Sequence, residues 1–388
     1  MYKILMIAPT SFFADRGCHV QIYEQIRSLQ KLGNKVCICT YHIGNNLPGI
    51  DIRRIQNFPW YKKLEAGPSL HKIYLDFFLL LKSLFVAWQI KPDIIHGHLH
   101  EGAAIGYAVS RILRVPLLFD LQGSLTGELT AHKFLSEQGI FFRLFYKAEK
   151  IIDNLADVVV TQSTDMLEEL KDKFGVKDVC LTFDGVNTDD FRPMAKSAIL
   201  KRKLEIPDDK KVVVYLGILS KYQGVDCFLE AMPKVLNKRK NVCFLIMGYP
   251  DIEKYKKMAE TLGVLKDCRF TGRIDYKTAP EYLNLGDIAV GPKLGLTEAD
   301  GKIYNYMACG LPIVASDTPV HREILDDTAL YVKPADGAAL AEGLLRLLND
   351  QALAKELGTR ARQRVVEKFT WDNVAERLVS CYNKISKR

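Results

Sequence analysis

The chain has 388 residues, too many for one ordinary hydrophobic core and enough for two domains of about 150 to 200 residues each. Hydrophobic residues make up 48% and charged residues 26%, which argues against a disordered chain, and the 9 cysteines, odd in number and without C-x-x-C or zinc spacing, read as small buried hydrophobes of a reducing compartment. The formal net charge of +8 admits anionic partners. With no zinc finger, no aromatic RNA-binding signature and no long basic run, nucleic acid is the least favoured of them.

The elements then follow in chain order. Met1 to Pro9 is too short for a secretory leader and is followed by a Pro-Thr-Ser turn, so Lys3–Ala8 reads as a buried first strand. Helical spacing over Val20–Leu32 ends at Gly33-Asn34, and Lys35–Thr40 is the next strand. Ile73–Ile90 is the longest apolar region, but Asp76, Lys82 and Ser83 interrupt it, so a helix packed between sheet and surface is favoured over a spanning one. Lys62, Lys63, Lys72 and Lys82 beside Trp60, Phe77, Phe78, Phe85 and Trp88 also suit a membrane interface. Strands are expected at Ile94-Ile95, Leu117–Phe119 and Val158–Thr161. The grammar then restarts with strands at Lys211–Gly217, Val242–Met247, Cys268–Thr271, Ile288–Val290 and Ile313–Ala315, and a helix at Val225–Leu236. This alternation predicts an α/β protein of two doubly wound parallel-sheet domains facing a cleft. The boundary falls near Phe183 to Lys201, where "FDGVNTDDFRPM" has linker composition.

Ligands of such sheets bind at the carboxyl ends of strands, so the loops that follow strands carry the candidates. In Ser11–Val20, Arg16-Gly17-Cys18-His19 opens a helix, where free N–H groups attract anions. In "DIIHGHLHEGAA", His96, His98 and His100 would share one side of an extended segment, but no carboxylate spacing completes a known metal site. In "PLLFDLQGSLTGE", Asp120 and Gln122 follow a strand as polar groups of a cleft floor. "YLGILSKYQGVD" ends a strand at Gly217 and offers Lys221 and Gln223 before Gly224; it is not a P-loop. Gly248 ends the next strand, and "TEADGKIYNYMACG" places Glu298 and Asp300 before Gly301-Lys302 at a helix start. There a carboxylate suits sugar hydroxyls, glycine N–H groups suit a phosphate, the lysine supplies countercharge, and the Asn305 amide can serve a hydroxyl.

These segments in this order, together with "CRFTGRIDY" and the closing "FTWDNVAERLVSCY", resemble a family 4 glycosyltransferase of the GT-B fold over nearly the whole chain. The resemblance implies two Rossmann-like domains, residues 1–185 binding the acceptor and 186–369 the nucleotide sugar, with a C-terminal helix over 370–388 crossing back to the first. It implies transfer with retained anomeric configuration from a UDP- or GDP-linked sugar to a glycan, glycolipid or lipid-linked acceptor, with no metal and no cofactor. By position, Glu298 would touch the donor sugar, Gly301, Lys302 and Ile303 the diphosphate, Asn305 the ribose, and Arg273 and Ile274 the base. Gly217, Lys221, Gln223 and Gly248 would complete the donor side. Arg16, Gly17, Cys18, His19 and His98 would serve the acceptor, with Gly17 also near the donor phosphate. Asp120, Gln122 and Glu298 are the candidates at the reacting centre.

The chain departs from the family pattern where an arginine and a lysine are usual and Ile218 and Gln223 stand, at Asn305 in place of a second glutamate, and at Gln122 in place of a histidine. By spacing, the first glutamate would fall on Thr297, so Glu298 fits only with a one-residue shift. These changes remove two cations and one anion from the expected donor site, and Lys221, Lys302 and Lys293 are available to replace the charge. A non-catalytic sugar-nucleotide-binding subunit would bind donor without turnover, and an epimerase or hydrolase on the same fold would turn it over without acceptor. The expected location is cytoplasmic, with peripheral contact at the inner membrane face.

Overall fold

The computed structural model describes residues 1–14, 17–62, 69–127, 139–294 and 300–387. The chain forms two compact units, Met1–Asp184 with Trp371–Arg388, and Gly185–Thr370.

The first unit holds a seven-stranded parallel sheet of β1 (Lys3–Ala8), β2 (Lys35–Thr40), β3 (Asp51–Arg54), β4 (Ile94–His98), β5 (Leu117–Asp120), β6 (Val158–Thr161) and β7 (Val179–Leu181), in the order β3-β2-β1-β4-β5-β6-β7. Its inner strands are short apolar runs buried on both faces, as a sheet covered by helices requires. The helix Leu99–Leu113 sits tightly on the sheet: a Cβ on Gly102 would lie 2.7 Å from the Ile7 carbonyl oxygen. The closing helix, Trp371–Ile385, packs Trp371, Val374, Leu378 and Tyr382 against the same core as Ile22, Ile26 and Leu29 of the helix Gly17–Lys31. Lys31 pairs with Asp372, and the Tyr2 hydroxyl donates to Asn383 Oδ1 at 2.7 Å.

The second unit repeats the plan with six parallel strands: β8 (Lys211–Leu216), β9 (Val242–Met247), β10 (Cys268–Gly272), β11 (Ile288–Gly291), β12 (Ile313–Ser316) and β13 (Leu330–Val332), ordered β10-β9-β8-β11-β12-β13. Helices Val225–Lys238 and Gly337–Asn349 bury their apolar faces in its core. The helix Gly301–Ala308 is fixed at its end by Arg362, which donates to the Ala308 carbonyl at 2.7 Å and to the Phe191 carbonyl at 2.8 Å.

In both sheets the chain builds outward from a first strand and then crosses it to start the other half, so β1 lies beside β4 and β8 beside β11. The order of connection reverses at these two junctions, and the loops leaving them open the crevice in which doubly wound sheets bind ligands.

Candidate functional site

At the carboxyl ends of β1, β4 and β5, Asp120 is fully buried and held from several sides. Gln25 Nε2 donates to its Oδ2 at 3.0 Å, Gln162 Nε2 to its Oδ1 at 2.7 Å, and His98 Nδ1 to Oδ2 at 3.2 Å. Burial opposes the charge, but the histidines His96 and His98 beside it hold this carboxyl well below the usual carboxylate range. The His96 and His98 rings stack at 4.3 Å, as alternate residues of a strand should. His96 Nδ1 meets the Tyr382 hydroxyl at 2.8 Å, and burial, aided by His98, pushes its pKa down to about 4.

His100 does not share that side. Leu99 turns the chain into the helix with a φ of 62°, and His100 lies 3.4 Å from Asp153 and 3.7 Å from Glu149. Each histidine set could in geometry hold an ion. The carboxylates, however, are committed: Asp120 to Gln25 and Gln162, and Glu149 to the N–H groups of Leu125 and Thr126 and the Thr126 hydroxyl. Asp120 and Glu149 therefore read as carboxylates that hold the surrounding loops in place.

His19 is also interior. Its Nδ1 accepts from the Ala14 N–H at 2.9 Å, so the neutral ring donates from Nε2 to the Thr10 hydroxyl at 2.5 Å. The structure thus gives His19 a loop-shaping place, while Gly17 is exposed and Cys18 half-buried at the helix start. Arg16 lies outside the described residues. Nε2 of His96 and of His98 and both amide atoms of Gln122 are buried without a hydrogen-bond partner among the described residues. These polar atoms, beside Asp120 at the carboxyl ends of the strands, are open to a ligand.

In the second unit the loops after β8, β9 and β11 converge. Gly248 lies so near Gly217 that a Cβ there would stand 2.0 Å from the Gly217 oxygen. Gly224, at a φ of 74°, starts its helix against the Pro292 carbonyl, which a Cβ would meet at 1.9 Å. Between these glycines Lys302 Nζ donates to Gln223 Oε1 at 2.8 Å and to Asp300 Oδ1 at 2.6 Å. Two residues 79 positions apart, singled out on chemistry alone, are thus in contact. Burial draws the Lys302 pKa down and Asp300 opposes it; Asp300 in turn is held well below its ordinary value despite its burial, chiefly by Lys302. Lys293 is buried as well, its ammonium 5.4 Å from the Tyr222 ring centroid.

The remaining candidates are placed as follows. Gly301 is exposed at the helix start, Ile303 is fully buried, Asn305 is half-buried, and Lys221 is exposed on its loop. Arg273 lies over the Tyr249 ring at 5.6 Å with Ile274 half-buried beside it. Ile218, where the resemblance leads one to expect a cation, is exposed, and Thr297 and Glu298 lie outside the described residues. Sequence reasoning missed Gln25, Gln162, Tyr382 and His321. Their contacts lie across the fold, and no local pattern announces them.

Two family models match the chain, Glycosyltransferase Family 4 over residues 16–190 and Glycosyl transferases group 1 over residues 196–364. Phosphatidyl-myo-inositol mannosyltransferase of Mycobacterium leprae is 27% identical over 395 residues, covering 99% of this chain and 97% of its own length. An uncharacterised glycosyltransferase of Methanocaldococcus jannaschii is 24% identical over 86% of this chain and 87% of its own. Among solved structures, sucrose-phosphate synthase of Thermosynechococcus elongatus superposes with a TM-score of 0.83 at 20% identity, covering 99% of each chain. HepE of Anabaena, in complex with UDP-glucose, superposes at 0.79 with 14% identity, covering 99% of this chain and all of its own. Two parallel-sheet units of this topology, matched in turn by the two models, place the chain among the family 4 glycosyltransferases of the GT-B fold.

Proposed function

We propose that this glycosyltransferase transfers a hexose, with retention, from a nucleoside-diphosphate sugar held by the second unit to a lipid-linked or glycan hydroxyl held by the first. The observation that carries the donor side is the buried Lys302 ammonium. It sits at a helix start beside Gln223 and between glycine-lined loops, at the junction of β8 and β11. A lysine there meets a diphosphate with countercharge, and the helix N-terminus adds its N–H groups. Positioning and charge stabilisation of the departing diphosphate would then supply most of the acceleration. Gly301 and Ile303 stand on the same helix, and Glu298, just before it, is assigned to the sugar hydroxyls. Metal and cofactor have no part in this reading.

On the acceptor side, the unpartnered Gln122 amide and His98 Nε2 offer hydrogen bonds to a hydroxyl, with Asp120 as the positioning residue behind His98. The mycobacterial relative's name supports a lipid acceptor. So do the apolar residues that the first unit exposes on two helices: Ile73, Phe77, Phe85 and Trp88 of His71–Ile90, and Ile140, Phe141 and Leu144 of Ile140–Asp153.

A thermal-shift panel of UDP, GDP, UDP-glucose, UDP-N-acetylglucosamine and GDP-mannose tests the donor assignment, because a ligand of the folded state raises the midpoint by mass action. One base series should stabilise the wild type and lose its effect in Lys302→Ala. Stabilisation that survives in Lys302→Ala removes that lysine from the site, and no shift with any nucleotide overturns the donor assignment.

A further inference from the structure

The buried lysine is the near end of a longer chain of contacts. Asp300 Oδ1 receives the Lys302 ammonium at 2.6 Å, and Asp300 Oδ2 faces His321 Nε2 at 3.0 Å. His321 Nδ1 faces the Ser316 carbonyl oxygen, at the end of β12, at 2.9 Å. Both ring nitrogens of His321 therefore face oxygens, the Asp300 carboxylate on one side and the Ser316 carbonyl on the other, and the ring is held from both sides. Its backbone is pinned too, since the His321 N–H donates to the Thr318 hydroxyl at the start of the helix Pro319–Leu325. Asp300 and His321 are buried, and Lys293 is buried within electrostatic reach of both Asp300 and Lys302. The series Ser316, His321, Asp300, Lys302, Gln223 links the loops after β12, β11 and β8.

We propose that Asp300 and His321 are positioning residues for binding of the donor's diphosphate: His321 fixes the Asp300 carboxylate, and Asp300 fixes the Lys302 ammonium at Gln223. This deepens the donor-site reading and rests on it. The physical ground is preorganisation. A free lysine side chain loses rotamer freedom when a ligand orders it. A lysine already held by a carboxylate and an amide has met that cost in folding. Asp300 alone could swing its carboxylate away; the second oxygen, tied to His321 and through it to the end of β12, prevents that. The arrangement also gives a place for charge in a chain that carries Ile218 and Gln223 where the sequence resemblance leads one to expect cations.

The test is calorimetric titration of the full chain with UDP and GDP, and with uridine and guanosine, which lack the phosphates. Lys302→Ala, His321→Leu and Asp300→Asn should each weaken the bound nucleoside diphosphate by about tenfold, with nucleoside binding unchanged. His321→Gln, which keeps an N–H donor, should restore affinity to within about threefold of wild type. The double variant of Lys302→Ala with His321→Leu should bind no more weakly than Lys302→Ala alone, because both act on one contact. The proposal fails if His321→Leu leaves diphosphate binding intact, if it weakens nucleoside and diphosphate alike, or if its effect multiplies with that of Lys302→Ala. An unfolded Asp300→Asn chain leaves the decision to the two His321 variants. If Lys302→Ala itself binds as wild type, or the wild type binds neither nucleotide, the donor-site reading falls and this proposal with it.

Discussion

At the residue scale, the two buried clusters differ in what they ask of their charges. Lys302 is a buried cation held by Asp300 and Gln223, and is proposed to meet a ligand's negative charge, whereas Asp120 is wrapped by donors and keeps His98 in place. Lys302→Ala and Glu298→Gln should each lower transfer by at least about tenfold, or roughly 1.4 kcal/mol of transition-state stabilisation, measured as kcat/KM. Unchanged rates in both would end the donor assignment. The His96 ring makes a different prediction, about acid. Its folded pKa of about 4 lies below an ordinary histidine's roughly 6.5, so the unfolded chain takes up the proton first as pH falls. Stability contributed by the neutral ring is complete above about pH 6.5 and is lost as pH falls through 4, up to ~3 kcal/mol in all. The melting temperature should drop over that window, and His96→Gln should flatten the drop. An equal slope in the variant would show that other groups set it. Single positions were legible in the sequence where chemistry is local: Lys302 follows a glycine at a helix start and Gln223 precedes one. Gln25, Gln162 and His321 were not, because a lone glutamine or histidine announces nothing until a distant carboxylate is placed against it. His100 shows the same limit. A three-residue alternation reads as one face only if the strand continues, and it ends at His98.

At the element scale, the helix Ile140–Asp153 runs against the ordinary pattern. Its carboxylates Glu149 and Asp153 are buried, while Ile140, Phe141, Leu144 and Phe145 are exposed beside Arg143, Lys147 and Lys150. Glu149 explains the inversion, because it satisfies the backbone of Leu125 and Thr126 at 2.7 and 3.1 Å and so turns the acidic face inward. An outward face of aromatic and basic residues suits an anionic membrane surface. The chain should sediment with vesicles of phosphatidylcholine and phosphatidylglycerol, less so as salt rises, and weakly with phosphatidylcholine alone. Phe141→Ser with Leu144→Ser should cut that binding at least about tenfold, given about 1.5 kcal/mol or more for each large apolar side chain buried. Equal sedimentation of the double variant would rule out this helix as the contact. The main strands and their helices were readable because parallel sheets buried on both faces demand continuous apolar runs. The edges were not. β3 is Asp-Ile-Arg-Arg, half-exposed, and β7 and β13 have three residues each, too short for a pattern. The helix Gln351–Lys368 hides its small buried face, Leu357, Gly358, Ala361 and Val365, among charges.

At the scale of the whole molecule, one unit is continuous in sequence and the other is not. Gly185–Thr370 lies between the two pieces of the first unit. Removing 371–388 would strip Trp371, Val374, Leu378 and Tyr382 from the first core and take the hydroxyl away from His96. The expected result is faster hydrogen exchange throughout β1, β4 and the helix Gly17–Lys31, with the strands of the second unit unchanged. Uniform loss of protection in both units would show that they unfold as one. The discontinuity also fixes an order of events during synthesis. A ribosome delivers the first sheet long before the last helix, and the whole second unit emerges in between and can close on itself. The part of the protein that is begun first is therefore completed only after residues 371–385 have left the exit tunnel, behind the whole of the second unit.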